Sequence, residues 1–376
     1  MELNKPYQIC VRCVMDTTDP DITFDEKGIC NHCHTYDENM SSNVLTEDQK
    51  LTEIVRKIKA SGHNKKYDCV IGLSGGVDST FVAYKVKTLG LRPLAVHLDN
   101  GWDSELAVKN VENICRILQI DLNTIVLDWH EFKDLQLSFL KASTPDSEIP
   151  SDHAIVKAMI STAERTVVRH IITGYNHRTE SHLPSAWSQG HFDWGYIRNV
   201  HRQFGSVALK SFPHLSFIDF VAQTYQKKFV NILNYMKYSK KNAIPVLEKE
   251  LGWKYYGGKH YESIYTRWYQ GYWLPVKFGY DKRKSHFSSL ICSGEMTRAV
   301  ALEELSKPSY PPELQKEDTD YVLKKLNLTG KQLNDLFHLD KKSYWDYHPY
   351  GRIYKTVAYR FLRSSYRRLK YKKNRK

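Results

Sequence analysis

YDCVIGLSGGVDST, residues 67–80, runs from an apolar segment short enough for one buried strand into two glycines, three hydroxyl side chains and an aspartate. The glycines end the strand, and the helix-length stretch DSTFVAYKVKTLG follows at once. Beyond it come PLAVHLDN (93–100), SELAVKNVENICRILQ (104–119) and DLNTIVLD (121–128), then VVRHIITG (167–174), which reads as a further strand. Strand and helix alternating at this pace predict parallel strands joined by crossover helices: an α/β fold with an open parallel sheet.

The glycine loop then states its chemistry. A P-loop would carry Lys-Ser/Thr after its last glycine to hold β and γ phosphates, whereas here Asp78 stands where that cation would be wanted. Gly75 and Gly76 let backbone amides approach oxygens closely, Ser74 and Ser79 offer hydroxyls, and a helix starting near Asp78 points its positive end at an anion. An aspartate in such a cradle makes sense beside Mg2+, so the loop favours magnesium pyrophosphate over a lone γ-phosphate.

The 376 residues suffice for two or three domains. No run approaches the ~20 apolar residues of a membrane span, and MELNKPYQIC lacks the charged-then-apolar pattern of a secretion signal, so the expected compartment is the cytoplasm. Net charge is +13, but residues 351–376 hold eleven Lys or Arg and no acid, leaving +2 on residues 1–350. Of seven cysteines, Cys10, Cys13, Cys30 and Cys33 form C-x2-C, a sixteen-residue gap and C-x2-C. That is the spacing of a structural zinc ribbon with all four positions filled, although His32 or His34 could replace one thiolate.

The expected organisation is a zinc ribbon at 1–45, an ATP-binding α/β domain at 46–180, a mainly helical, aromatic-rich region at 181–340 covering the ligand edge, and a basic amphipathic tail at 341–376. Thr46 reads as the start of the first long helix, and further helices are expected near 218–237, 261–273 and 295–305. The Trp and Tyr residues suit core and lid packing better than base stacking.

SGGVDS after a first parallel strand resembles the PP-loop of the N-type ATP pyrophosphatases, which split ATP between its α and β phosphates. The resemblance implies ATP and Mg2+ at Ser74, Gly75, Gly76, Val77, Asp78 and Ser79, adenine and ribose against His97, Leu98, Asp99 and Asn100, and a third contact region at Gly174, Asn176 and Glu180. All three fall at carboxyl ends of strands, where open α/β sheets bind ligands. CVRCVMDTTDPDITFDEKGICNHC, TGYNHRTESHLP, YYGGKHYES and FGYDKRKSHFSSLICSGEMTRAVALEEL further resemble the N-acetyl sugar amidotransferases of the WbpG and PseA type over residues 10 to about 305.

That resemblance implies conversion of an acetamido group on a nucleotide-linked sugar, such as a UDP-linked diacetamido uronic acid, to an acetamidino group, in bacterial lipopolysaccharide O-antigen or flagellar-glycan synthesis. The amide oxygen is adenylated, ammonia displaces AMP, and pyrophosphate leaves. In the family a separate HisH-like glutaminase and a HisF-like barrel protein supply ammonia. A glutaminase within this chain would need a nucleophilic cysteine: Cys69 lies in a strand, Cys115 in a helix, and Cys292 in LICSG without an elbow pattern.

Expected roles follow for other side chains. Asp78 is the catalytic carboxylate of the loop, and Glu180 a magnesium ligand or proton acceptor. His260 is the third catalytic candidate, in a GGKHYE lid with Lys259 and Glu262. Lys282 and Arg283 would neutralise pyrophosphate or a substrate anion. Asp152 is either an N-cap or, with His153, a neighbour of the ATP edge. In the tail, Ile353, Val357 and Phe361 recur beside Tyr354, Ala358 and Leu362, which suits an anionic inner-membrane surface, an acidic partner, nucleic-acid phosphates or a merely solubilising end. The competing activity is tRNA sulfur transfer, but TGYNHRTE brings no reactive cysteine and the near-neutral body no basic face, so no nucleic acid is expected. A zinc-ribbon adaptor would have no use for a pyrophosphate cradle.

Overall fold

The computed structural model describes residues 6–41, 47–216, 219, 226–258 and 260–349. Thr46, Lys259 and the amphipathic part of the tail lie outside the described residues. Among those described, β1 (Cys69–Gly72), β2 (Pro93–Asp99), β3 (Asp121–Val126), β4 (His170–Ile172) and β5 (Lys228–Val230) form one sheet in the order β3-β2-β1-β4-β5, with every neighbouring pair parallel.

Helices α1 (Asn31–Ser41) and α2 (Glu47–Ser61) precede the sheet. α3 (Val77–Thr88) and α4 (Glu105–Leu118) make the first two crossovers, α5 (Trp129–Ala142) and α6 (Ile149–Arg165) the third, and α7 (His177–Glu180) with α8 (Trp194–Phe204) lies between β4 and β5. The C-terminal part contains α9 (Lys240–Leu251), α10 (Ile264–Trp268) continued by a π-helical turn (Tyr269–Trp273), α11 (Leu274–Phe278), α12 (Lys282–Cys292), α13 (Arg298–Ser306), α14 (Pro312–Leu326) and α15 (Gly330–His338).

The period-2 side-chain alternation of β1 divides the core. Cys69 and Ile71 pack with Val82 and Val86 of α3, Ile114 of α4 and Leu247 of α9, while Val70 packs on the other face with Met159, Ile160 and Ala163 of α6. A second core joins Trp102 to Phe139 of α5, Tyr196 of α8, Trp268, Trp273 and Val322 of α14. The aromatics are thus packing residues: Trp102, Trp187, Trp253, Trp268 and Trp273 are each under 2% exposed.

Of the expected helix near 218–237, Asp219 and Gln226 are helical, but the part from 228 onward is not helix. Residues 228–230 pair with β4 and Ile232–Tyr235 make a 3-10 turn. A free parallel edge overrides local helical pattern there, and a three-residue strand with two exposed positions offers no sequence alternation to reveal it. The other two expected helices appear as α10 with its π-turn and as α13. Asp152 does not cap α6, which begins at Ile149 with Pro150 in its first turn.

From β1 the chain moves outward to β2 and β3, then returns to the other side of β1 as β4. The strand order therefore reverses between β1 and β4, and a crevice opens at their carboxyl ends, where such sheets take ligands.

Candidate active site

The loop from Leu73 to Asp78 occupies that crevice. Its last ladder bond is Leu73 N–H to Val96 O, 2.9 Å. Gly75 then turns with φ +80°, and a Cβ there would lie 2.7 Å from Ala107 O, so both backbone angle and space demand glycine. Trp253 Nε1 donates to Gly75 O from below (2.8 Å). Ser79 Oγ accepts from Ser74 N (3.2 Å), lies 3.1 Å from Ser74 Oγ, and donates to Gly76 O. Gly76 caps α3 without a side chain, so the first-turn amides face the concavity with only Ser74 Oγ at Gly76 N and Tyr256 OH at Val77 N beside them.

Asp78, in the first turn, is held from the far side of the cleft. Its Oδ1 accepts from Tyr238 OH (2.5 Å) and its Oδ2 lies 3.0 Å from Lys240 Nζ, the first residue of α9. Burial disfavours the charged Lys240, but Asp78, Glu180 and Glu262 outweigh it and raise its pKa. The cation missing from the loop sequence therefore arrives from 162 residues downstream, where no motif marks it.

Glu262 completes the cleft. Ser104 N–H donates to Glu262 O (2.8 Å) and Ile264 N–H to Trp102 O (2.9 Å), pinning this segment to the β2–α4 connection. Burial pushes the Glu262 carboxyl up, yet His260, whose Nδ1 lies 3.6 Å from Oε1, and Lys240 bring it below the usual value. Its Oε2 atom is buried and makes no hydrogen bond among the described residues. Asp78, Glu180 and Glu262 thus present carboxylates around one cleft of about 220 Å³; they do not converge into a three-carboxylate cluster, but the orphaned Glu262 oxygen offers a ligand to Mg2+, which commonly takes one or two carboxylates together with phosphate oxygens and water.

Gly174, at the exit of β4, approaches the loop closely: a Cβ there would stand 3.2 Å from Asp78 and from Ser79 N. Asn176 is fully buried and caps α7 by accepting from Thr179 N (3.1 Å), so its side chain serves the backbone rather than the cleft. His97 is likewise engaged internally, Nδ1 with Leu73 O (2.9 Å) and Nε2 3.2 Å from Asp103 Oδ2. Burial works against charging it, but Asp103 prevails and raises its pKa. Asp99 accepts from Gly101 N (2.8 Å), shaping the turn after β2, while Leu98 and Asn100 line a groove of about 430 Å³ with Val96, Met159 and Thr173.

That groove continues to a charged end. Lys282 Nζ lies 3.9 Å from both Asp146 Oδ2 and Glu148 Oε2, and His191 Nε2 lies 3.3 Å from Asp152 Oδ2. Burial and the charges of Asp146 and Glu148 push Asp152 up to about 6, against the pull of His191 and Lys282. A larger cavity of about 800 Å³ adjoins both clefts through Glu180 and His260 and is walled by Tyr261, Arg267, Lys282 and His286. Arg283 reaches it too, but most of its donors are taken: Asp281 holds Nε and one terminal nitrogen, and Glu304 O and Lys307 O hold the other. It fixes the α12–α13 junction rather than presenting a free fork.

The four ribbon cysteines are fully buried together. Their sulfurs stand 3.9 Å (Cys10–Cys33), 3.6 Å (Cys13–Cys30) and 3.8 Å (Cys30–Cys33) apart. Zn–S bonds of about 2.3 Å in a tetrahedron give edges of about 3.8 Å, so the donor set fits zinc. His32 and His34 are not in the set; they bind Asp19 (2.7 Å) and Asp25 (2.9 Å). The second knuckle opens directly into α1, and the ribbon docks on α12 and α13: Val14 N donates to Ser288 Oγ (3.2 Å), Lys284 pairs with Asp16, and Arg298 donates to Cys10 O and Cys13 O.

Comparison with known proteins bears on both halves. Residues 47–177 match the NAD synthase family, and residues 262–361 match the C-terminal domain of WbpG-like LPS biosynthesis proteins. An uncharacterized protein of Methanocaldococcus jannaschii is 23% identical over 305 residues, 79% of this chain and 92% of its own length. The tRNA(Ile)-lysidine synthase of Chlamydia pneumoniae is 36% identical over 78 residues, 20% of this chain and 23% of its own. Among solved structures, the NH3-dependent NAD synthetase of Campylobacter jejuni covers 79% of this chain and 99% of its own, at 14% identity and a TM-score of 0.33. A predicted subunit of a tRNA methyltransferase from Methanocaldococcus jannaschii covers 48% and 74%, at 18% identity and a TM-score of 0.27. A PP-loop region similar to the NAD synthase family and a C-terminal region similar to WbpG-like LPS biosynthesis proteins thus stand on either side of one cavity.

Proposed function

We propose that this ATP-dependent amidating enzyme converts an acetamido group of a nucleotide-linked sugar to an acetamidino group, in the synthesis of a bacterial surface glycan. The observation that carries the reading is that the pyrophosphate loop opens, through Glu180 and His260, into the 800 Å³ cavity walled by WbpG-like residues such as Arg267, Lys282 and His286. An anionic sugar nucleotide seated there brings its amide oxygen to the α-phosphorus of ATP.

The loop amides, Ser74, Ser79 and Lys240 bind the departing pyrophosphate, and the groove under Leu98 and Asn100 takes the nucleoside. One or two of Asp78, Glu180 and Glu262 would hold Mg2+, which supplies charge neutralisation at the phosphates when bound. Attack of the amide oxygen yields an O-adenylyl imidate and pyrophosphate. Ammonia then adds to the imidate carbon, Glu180 takes the excess proton, and AMP departs with the former amide oxygen. Lys282, held among Asp146, Glu148 and Asp152, orients the sugar's anionic group.

The thiols support an external ammonia source. Cys69 and Cys115 are buried in the core and the other five gather at the ribbon, so none is placed as a glutaminase nucleophile or a sulfur carrier in the ATP cleft. A separate glutaminase with a barrel protein that conveys ammonia is the proposed supply. No described helix is long and apolar enough to cross a membrane.

The test is incubation with ATP, ammonium and UDP- or CMP-linked diacetamido sugars, read by mass spectrometry for AMP and a product about one dalton lighter, from exchange of O for NH. Formation of ADP, or AMP release triggered by tRNA and not by sugar, would sink the proposal.

A further inference from the structure

Cys292 ends α12 with its Sγ 3.7 Å from Cys33 Sγ and 3.5 Å from His182 Nε2. These three ligand atoms lie within 4.8 Å of one another, and one of them already belongs to the four-cysteine set. We propose that Cys33, His182 and Cys292 hold a second zinc-type ion, with the Cys33 thiolate bridging it to the ion of the ribbon.

Three features carry this. The first is spacing. With Zn–S of about 2.3 Å and Zn–N of about 2.0–2.1 Å, tetrahedral S···S and S···N edges are about 3.8 and about 3.5 Å, and the observed 3.7 and 3.5 Å are those edges. The second is the imidazole's orientation. His182 is fully buried, and its Nδ1 lies 2.9 Å from Ser181 Oγ and 3.1 Å from Ser289 Oγ. Ser289 spends its own proton on Ser285 O (3.1 Å), so its oxygen accepts from Nδ1–H and leaves the Nε2 lone pair facing Cys292. Anchoring of the distal N–H is how proteins set a metal-binding histidine. The third is charge. A second divalent ion with one further thiolate makes the buried cluster less negative, which a low-dielectric setting favours.

The three ligands come from α1, the segment after α7, and α12. Such an ion therefore fastens the ribbon to both walls of the catalytic cavity: Glu180 stands two residues before His182, and Lys282 opens the helix that Cys292 closes. Three protein ligands also leave a fourth position for solvent, and Cys292 is only partly buried, so the ion has a route in.

The full chain, kept reduced, is titrated with Zn2+ under metal-buffered conditions up to micromolar free metal, and bound zinc is counted by mass spectrometry. Two equivalents are expected for the unaltered protein, and one for Cys292→Ser and for His182→Gln. Co2+ loading should add a second set of d–d bands, absent from Cys292→Ser, and the two-ion form should show weakened paramagnetism through the shared sulfur. A single equivalent in the unaltered protein would overturn the proposal without recourse to any variant. So would two equivalents that persist in both variants.

Discussion

Lys240 is the sharpest place to test the site. Its ammonium sits 3.0 Å from Asp78 Oδ2, with both side chains little more than a fifth exposed. At an effective dielectric of 20, unit charges at that distance attract by about 5–6 kcal/mol, and desolvation of the buried ammonium returns much of it, leaving a net of about 1–3 kcal/mol. Lys240→Met should therefore lower the thermal midpoint by only a few degrees. Its effect on AMP release should be larger, about 10²–10³-fold, because a preorganised donor to a departing oxyanion is lost. The two roles separate in a double-mutant cycle with Asp78→Asn. If Lys240 merely neutralised Asp78, the second change would rescue the first. If it holds pyrophosphate, the loss persists on the Asp78→Asn background. Because turnover needs Asp78, affinity for pyrophosphate by titration calorimetry, with calorimetric melts of all four proteins, decides it. Activity of Lys240→Met within threefold of the unaltered enzyme would refute the assignment.

Asp78→Ala should abolish AMP formation while zinc content stays unchanged; surviving turnover would mean the loop's role is misread. Gly75→Ala forces a side chain to φ +80° and against Ala107 O, so ATP binding measured by calorimetry should fall at least tenfold in a folded protein; unaltered affinity would refute the close approach. His153 is buried neutral, its Nδ1 bonded to His191 O and its Nε2 accepting from Leu215 N, and burial lowers its pKa to about 4. A histidine depressed in the fold costs stability once the unfolded chain binds its proton, so up to about 3 kcal/mol is lost as pH falls from 6.5 to 4. Denaturant melts at pH 7 and 4.5 should show that loss shrink in His153→Gln, and equal slopes would refute it. Asp152 runs the other way: raised to about 6, it favours the fold while protonated and loses that contribution as pH climbs through 4–6. Asp152→Asn should accordingly melt about 1–3 °C higher at pH 8, after discounting for its half-open side chain, and no higher at pH 4.

The sheet and loop were legible because their signals are local. Short apolar runs followed by helix-length stretches name β1 to β4, and the Gly-Gly-Val-Asp order states the anion chemistry within six residues. The four cysteines were equally plain, since metal geometry is written in their spacing. What escaped was set by distant packing. Lys240 and Tyr238 lie on an unremarkable stretch of sequence and become part of the site only when α9 packs beside α3. Glu262 was visible as one acid in a lid, but its buried orphan oxygen depends on a bridge to Asp103 and Ser104. Arg283 and Asn176 err in the opposite direction: residue types suited to ligands are consumed by Asp281 and by a helix cap, and no spacing rule says which side chain the backbone will claim first.

The docking of the ribbon on α12 and α13 has a consequence for how the chain is made. Val14 waits for Ser288, 274 residues later, and Cys10 and Cys13 for Arg298. During synthesis the ribbon therefore stays without its partner until some 274 further residues have followed, and metal capture would hold its shape in the interval. A chimera that exchanges only the C-terminal region at residue 181 would part the ribbon from its mate. One that carries residues 6–41 along with that region should express as soluble protein.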